Sequence, residues 1–340
     1  MPLIGRTLSV ALAALAIASG WTATGCAQHA MQSGHMALPT IAFPGDSAFV
    51  DVPFTEVRNH IVVPVQLEGS ARLQCVLDTG ARGTVIFGDS LVHALGLKPV
   101  GQAMIKGAGG GGATVQGSLY QGVHFAVGRL ALSNAMVVTM PDSSMRTSPL
   151  RGRMAMGRGL IEQTVVEIDW ETHTVRVHDP ARFEYHGTGV SVPLTFDANG
   201  QPFVRARVAL APDSAFDVTL VLDTGASHAV QLEPGTEARI RVPAGAPREK
   251  IGMGAAGQVW GAIGRATTFE IGGVTFRDVP VTFPDASLGL GRKETRQGNL
   301  GSGLLRRFRV ILDYAHARMI LEPGPHIAEP IVLPAYGGAG

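Results

Sequence analysis

Apolar residues in this chain come in short runs rich in Val, Ile, Thr and Phe, such as "IVVPVQL" (61–67), "LQCVL" (73–77), "TVIF" (84–87), "FVRARV" (203–208) and "VTLVL" (218–222). The runs are separated by turn-forming residues, among them many of the 44 glycines and 21 prolines. Short apolar stretches punctuated in this way suit β-strands better than long helices. No regular alternation of strand-like and helix-like segments is present, so the pattern predicts an all-β chain rather than a parallel α/β sheet.

The N-terminus departs from this pattern. Residues 1–26, "MPLIGRTLSVALAALAIASGWTATGC", carry Arg6, an apolar stretch from Leu8 to Ile17 and then small residues. That is the layout of an export signal, too short for a comfortable membrane span. Its end, Ala23 to Cys26, resembles a bacterial lipobox, in which Cys26 would carry the lipid; the alternative is cleavage a few residues later. Export to the periplasm or cell surface, with a lipid anchor on the membrane, is the expectation. Residues 27–45 lack any sustained period and read as a flexible tether. With Cys26 lipidated, Cys75 is the remaining cysteine and cannot form an internal disulfide. Its place in an apolar run predicts an inert core residue.

One apolar run contains a residue that needs a reason. In "CVLDTGARGTVIF" (75–87) Asp78 interrupts what otherwise reads as a buried strand. An ionised carboxylate there is costly unless paired, hydrogen-bonded or protonated. The same stretch recurs as "TLVLDTGASHAV" (219–230), with Asp223 standing 145 residues after Asp78. The match extends in order on both sides. "VDVPFTEVRNHIVVPVQL" is echoed by "VSVPLTFDANGQPFVRARV", "KGAGGGGATVQG" by "IGMGAAGQVWG", and "VVEIDWETHTVRV" by "RVILDYAHARMIL". An apolar segment ending at Gly157 is echoed by "GNLG" ending at Gly301. The chain is a duplicated β unit.

Charge adds little. With 28 basic and 27 acidic residues the net charge is +1, and no basic stripe points to nucleic acid. The histidines lack ligand spacing, so no metal site is expected and no cofactor is implied. "GAGGGGA" (107–113) is not a phosphate loop, since no Gly-Lys-Ser/Thr follows it.

On the paired DTGA tetrapeptides at 78–81 and 223–226, and the later Ala155-Met156-Gly157 and Asn299-Leu300-Gly301, residues 46–324 resemble the bacterial retropepsin-like aspartic proteases with two lobes on one chain. The resemblance implies an N-terminal β lobe over 46–180, a C-terminal β lobe over 181–324 related by pseudo-twofold symmetry, and a tail over 325–340. In the later segments, the family crosses a strand beneath each Asp loop; Asn299 makes the second match looser.

Two carboxylates facing each other cannot both ionise easily, and aspartic proteases are the standing example of a pair that shares one proton. Asp78 and Asp223 are therefore the candidate catalytic dyad, one acting as base on water and the other as acid on a peptide carbonyl. Thr79 and Thr224 carry hydroxyls suited to bracing the two loops. Gly80 and Gly225 leave approach to the carboxylates open. The family implies flaps around Gly109 and around Ala255 beside Gly254, with Met253, Val259 and Trp260 as candidate cleft residues. It also implies substrate contact at Ala81, Arg82, Ala226 and Ser227. The copies differ at that point: Arg82 could meet a substrate carboxylate or one of the opposite lobe, while the second copy has Ser227 and His228. "GASHA" (225–229) approximates a serine nucleophile elbow, but without the α/β pattern that the elbow requires. The expectation is a monomeric endopeptidase acting on peptide or protein. A protein of the same fold that binds peptide or cell-wall material without turnover is the alternative.

Overall fold

The structure is a computed structural model and describes residues 38–69, 72–106, 114–144, 153–254, 257–285 and 296–333. In the first half the strands are β1 (Thr40–Ala42), β2 (Phe49–Pro53), β3 (Thr55–Val57), β4 (His60–Leu67), β5 (Arg72–Leu77), β6 (Thr84–Phe87), β7 (Gly101–Lys106), β8 (Thr114–Val127), β9 (Leu130–Met140), β10 (Arg153–Met156), β11 (Val165–Asp169) and β12 (Thr174–His178). The second half has β13 (Val190–Phe196), β14 (Pro202–Ala209), β15 (Phe216–Asp223), β16 (Val230–Leu232), β17 (Arg248–Gly254), β18 (Gly257–Ile271), β19 (Val274–Pro284), β20 (Gly298–Gly301), β21 (Phe308–Asp313) and β22 (Arg318–Pro323). Helices among the described residues are short, at Ser90–Ala94, Arg158–Ile161 and Ser302–Leu305.

The duplication read from the sequence is a duplication of topology. In the first lobe β10 runs parallel to β5 and antiparallel to β6, and β6 runs parallel to β9. In the second, β20 runs parallel to β15 and antiparallel to β16, and β16 runs parallel to β19. Each lobe thus inserts a late strand beside the strand that delivers its aspartate.

The lobes are joined by a shared sheet, β13-β22-β21-β11-β12-β2, which takes three strands from each half. Its burial alternates, as in β2 with Val50 and Val52 inward and Phe49, Asp51 and Pro53 outward. The inward residues belong to one core that runs through both lobes and includes Val166, Val177, Leu312 and Met319. On the outer face Glu167 accepts from Arg309 and pairs with His178, and Arg309 also meets Glu322. Cys75 is fully buried in the core.

Two boundaries differ from the sequence reading. The stretch read as tether is already in the fold at its described end, because Thr40–Ala42 pairs with Ser133–Ala131 at the edge of the first lobe. The described part of the tail packs on the second lobe: Ile331 is buried and Arg307 donates to the carbonyls of His326 and Pro330. The leader, Cys26, and the flap positions Gly109 and Ala255 lie outside the described residues.

Candidate active site

Asp78 follows β5 and Asp223 ends β15, so each carboxylate is delivered by a central strand whose preceding residues are core. The chain then turns at Thr-Gly in both copies. Thr79 and Thr224 are buried and hold the turns together reciprocally. The Thr79 hydroxyl donates to the Leu222 carbonyl at 2.6 Å and accepts from the Thr224 N–H at 2.9 Å. The Thr224 hydroxyl donates to the Leu77 carbonyl at 2.8 Å and accepts from the Thr79 N–H at 3.0 Å. All four groups are satisfied across the lobe interface, which fixes the distance between the aspartates.

Gly80 and Gly225 are required by space. A Cβ on Gly80 would lie 2.8 Å from Asp223 Cγ, and one on Gly225 would lie 2.2 Å from Asp78 Cγ. Each glycine therefore covers the carboxylate of the other lobe. Gly157 and Gly301 are confined in the same way from beneath, with added Cβ atoms falling 2.2 Å from the carbonyl oxygens of Asp78 and His228.

The two carboxyl groups face each other across the lobe interface, close enough for the charge of one to act on the other. Oδ1 of Asp78 accepts the N–H groups of Gly80 at 2.9 Å and Ala81 at 3.0 Å. Oδ2 of Asp223 accepts from Asn299 Nδ2 at 3.0 Å. Burial pushes both carboxyls above the usual carboxylate range. For Asp78 the N–H groups of Gly80 and Ala81 oppose that rise. For Asp223 the charge of Asp78 adds to it, and Asn299 opposes it. The two carboxyls therefore sit in unlike surroundings and titrate as an unequal pair.

Residues 82 and 227–228 show how unlike the copies have become. Arg82 is exposed beside a small cavity with Arg158, Gln201 and Tyr314, and has no carboxylate partner among the described residues. Pairing of Arg82 with the opposite lobe is thus not what the fold uses. Ser227 and His228 are buried instead. They are covered by the tip of the β3–β4 hairpin, where Arg58 and Asn59 take left-handed φ of 51° and 66°, as a two-residue hairpin turn demands. Asn59 Nδ2 donates to the Ser227 carbonyl at 2.7 Å, and Arg306 holds Asn59 Oδ1 at 3.1 Å. His60 lies beside the backbone of Gly225. Burial, with His60 nearby, holds His228 down to about 4. Asn59, His60 and Arg306 were not marked by any motif; the unmatched Ser-His after the second DTGA was the only hint that something unlike the first copy packs there.

Ala81 and Ala226 are half-buried at the ends of the loops. Gly254 ends β17, Val259 is buried against Ile251 and Ile263, and Trp260 is exposed with the Arg248 guanidinium 5.3 Å over its ring.

A family model described as aspartyl protease matches residues 63–160 and again 208–304, one match per lobe. Among solved structures, the crystal structure of an aspartic proteinase from Irpex lacteus is similar over 84% of this chain and 100% of that one, at 14% identity and a TM-score of 0.50. No curated protein matched the chain.

Proposed function

From the chain's membership of the aspartyl protease family, we propose that it is an endopeptidase that activates water between Asp78 and Asp223. The observation that carries this reading is geometric: the paired loops bring two differently surrounded carboxyls together, with Gly80 against Asp223 and Gly225 against Asp78. In it, ionised Asp78 takes a proton from a water placed between the loops, and the oxygen so freed attacks the scissile carbonyl carbon. Protonated Asp223 gives its proton to the carbonyl oxygen. The resulting gem-diol collapses as Asp78 passes its proton to the departing amine nitrogen and Asp223 takes one from a gem-diol hydroxyl, leaving a carboxylic acid and an amine and restoring the starting protonation of both aspartates. No covalent bond to the protein forms. The threonine lattice supports the reading by holding the acid and base at fixed separation without flexible side chains.

The leader of the sequence supports export and lipid attachment at Cys26 as part of the same proposal. The test of the chemistry is cleavage of a mixed peptide library by the wild type, Asp78→Asn, Asp223→Asn and the double variant, with and without a statine-type inhibitor. Each single variant should lose nearly as much activity as the double, because acid and base act as a unit. Tight library binding with no cleavage by the wild type would instead identify a binding protein on the same fold.

A further inference from the structure

Asp78 and Asp223 occupy matching loops, yet the strand beneath each loop presents a different residue to it. Beneath Asp78, Ala155 of β10 stands opposite Val76. Beneath Asp223, Asn299 of β20 stands opposite Val221. Both residues precede the confined glycine of their strand by two positions, so duplicated topology places them equivalently. Only the asparagine has anything to donate, and it donates to the carboxyl oxygen Oδ2 of Asp223 at 3.0 Å.

The difference continues across the sheet. Ala155 lies in register with Val85, and Val85 with Val138, an apolar row that packs with Phe87 and Ile105. The matching row in the second lobe is Asn299, Gln231 and Thr282, all polar and all at most 5% exposed. Asn299 Oδ1 and Gln231 Nε2, an acceptor and a donor on adjacent strands, are buried with no hydrogen-bond partner among the described residues. Burying an amide in such a wall is unfavourable unless its bonds are made. The one bond that Asn299 makes goes to the reactive carboxyl.

We infer that Asn299 is a positioning residue that makes the two aspartates chemically distinct, by holding Asp223 through Oδ2 so that its proton resides on Oδ1. An oxygen that already accepts an amide N–H is the poorer site for a proton, and the proton is directed to the other oxygen of the carboxyl. The same bond favours the ionised form of Asp223, so it lowers the pH at which the dyad loses its shared proton. Other ionisable groups near the pair are His60 and His228 behind Gly225, with Arg58 and Arg153 acting on His60, and Tyr314, Cys75, Arg82, Arg158 and Glu162 on the Asp78 side. None is altered by changing Asn299.

The inference rests on the proposed peptidase chemistry for its kinetic consequence but not for its titration. The experiment uses full-length protein as wild type, Asn299→Ala to match the first lobe, Asn299→Leu to keep the side-chain shape, and Thr282→Val as a change in the same row out of reach of Asp223. Carbon-13 NMR of labelled aspartate carboxyls follows the dyad against pH without turnover, and kcat and KM are measured over the same range on a library-derived peptide. Expected for both Asn299 variants is an upward shift of the higher dyad titration and of the basic limb of kcat/KM by about one unit, with kcat down about tenfold. KM should be little changed, and Thr282→Val should follow the wild type. Folded Asn299 variants whose carboxyl titrations overlie the wild type would overturn the inference. A wild type that titrates as expected but cleaves nothing would sink the peptidase reading and leave the role of Asn299 in the titration standing.

Discussion

The hydroxyl of Thr79 donates to Leu222 and that of Thr224 donates to Leu77, so each lobe closes the turn of the other at 2.6 and 2.8 Å. Replacing Thr79 by Val keeps the volume but leaves the Leu222 carbonyl and the Thr224 N–H buried and unpaired. Two such groups cost about 2–6 kcal/mol. Urea unfolding should show that loss, with activity falling further than the remaining folded fraction explains, because the carboxylates are no longer held at one separation.

Gly80→Ala and Gly225→Ala test the contact between lobes more directly. Neither glycine has a left-handed φ, so the backbone tolerates alanine. The added methyl meets the opposite carboxylate instead. Circular dichroism should remain that of the wild type while kcat/KM falls by about 100-fold or more, as expected for a misplacement of reacting groups on the order of 1 Å. Activity close to wild type in Gly225→Ala, the tighter of the two, would show that the carboxyls need not be adjacent.

Activity should peak in weak acid, because burial raises both carboxyls and both loops have alanine, Ala81 and Ala226, where a hydroxyl could donate. A donor stabilises the ionised form and lowers the pH at which it appears. Ala81→Ser should therefore move the acid limb of kcat/KM downward. Ala226→Ser should move it less, since Asn299 already donates to Asp223. Equal shifts in the two variants would mean that Asn299 does not act on the carboxyl as described.

Stability should fall in acid through the second loop. His228 is held down to about 4 by burial and then by His60, against 6.5 when exposed. The unfolded chain thus binds the proton first as pH drops. The contribution is complete above about pH 6.5 and is lost progressively toward pH 4, amounting to about 3 kcal/mol. His228→Gln should flatten the thermal midpoint across that window. The dyad has the opposite sign: raised carboxyls favour the folded state below their unfolded value of about 4 and cost stability as pH rises. Asp223→Asn should therefore be more stable than wild type at pH 7 in the same melting experiment.

The duplication, the all-β character and the two strands carrying Asp78 and Asp223 were legible from residue order alone, because short apolar runs and turn residues act locally. So was the likeness of 78–81 to 223–226, which singled out Asp78 and Asp223 before any contact was known. What the sequence could not decide was what each buried face meets. The alternation in Phe49–Pro53 says that Val50 and Val52 turn inward, but only the fold pairs that strand with Thr174–His178 and makes both part of a sheet shared with the second half. Asn59 reads as a turn residue, yet it is the tertiary structure that carries it to the Ser227 carbonyl, 168 residues away. Asn299 looked like a weak match to its motif; the register of β20 against β15 turns it toward Asp223 and gives it a partner. Pattern reports which side of a strand avoids water, whereas the partner of a buried polar atom depends on strand register and lobe docking, which are set by contacts far apart in the chain.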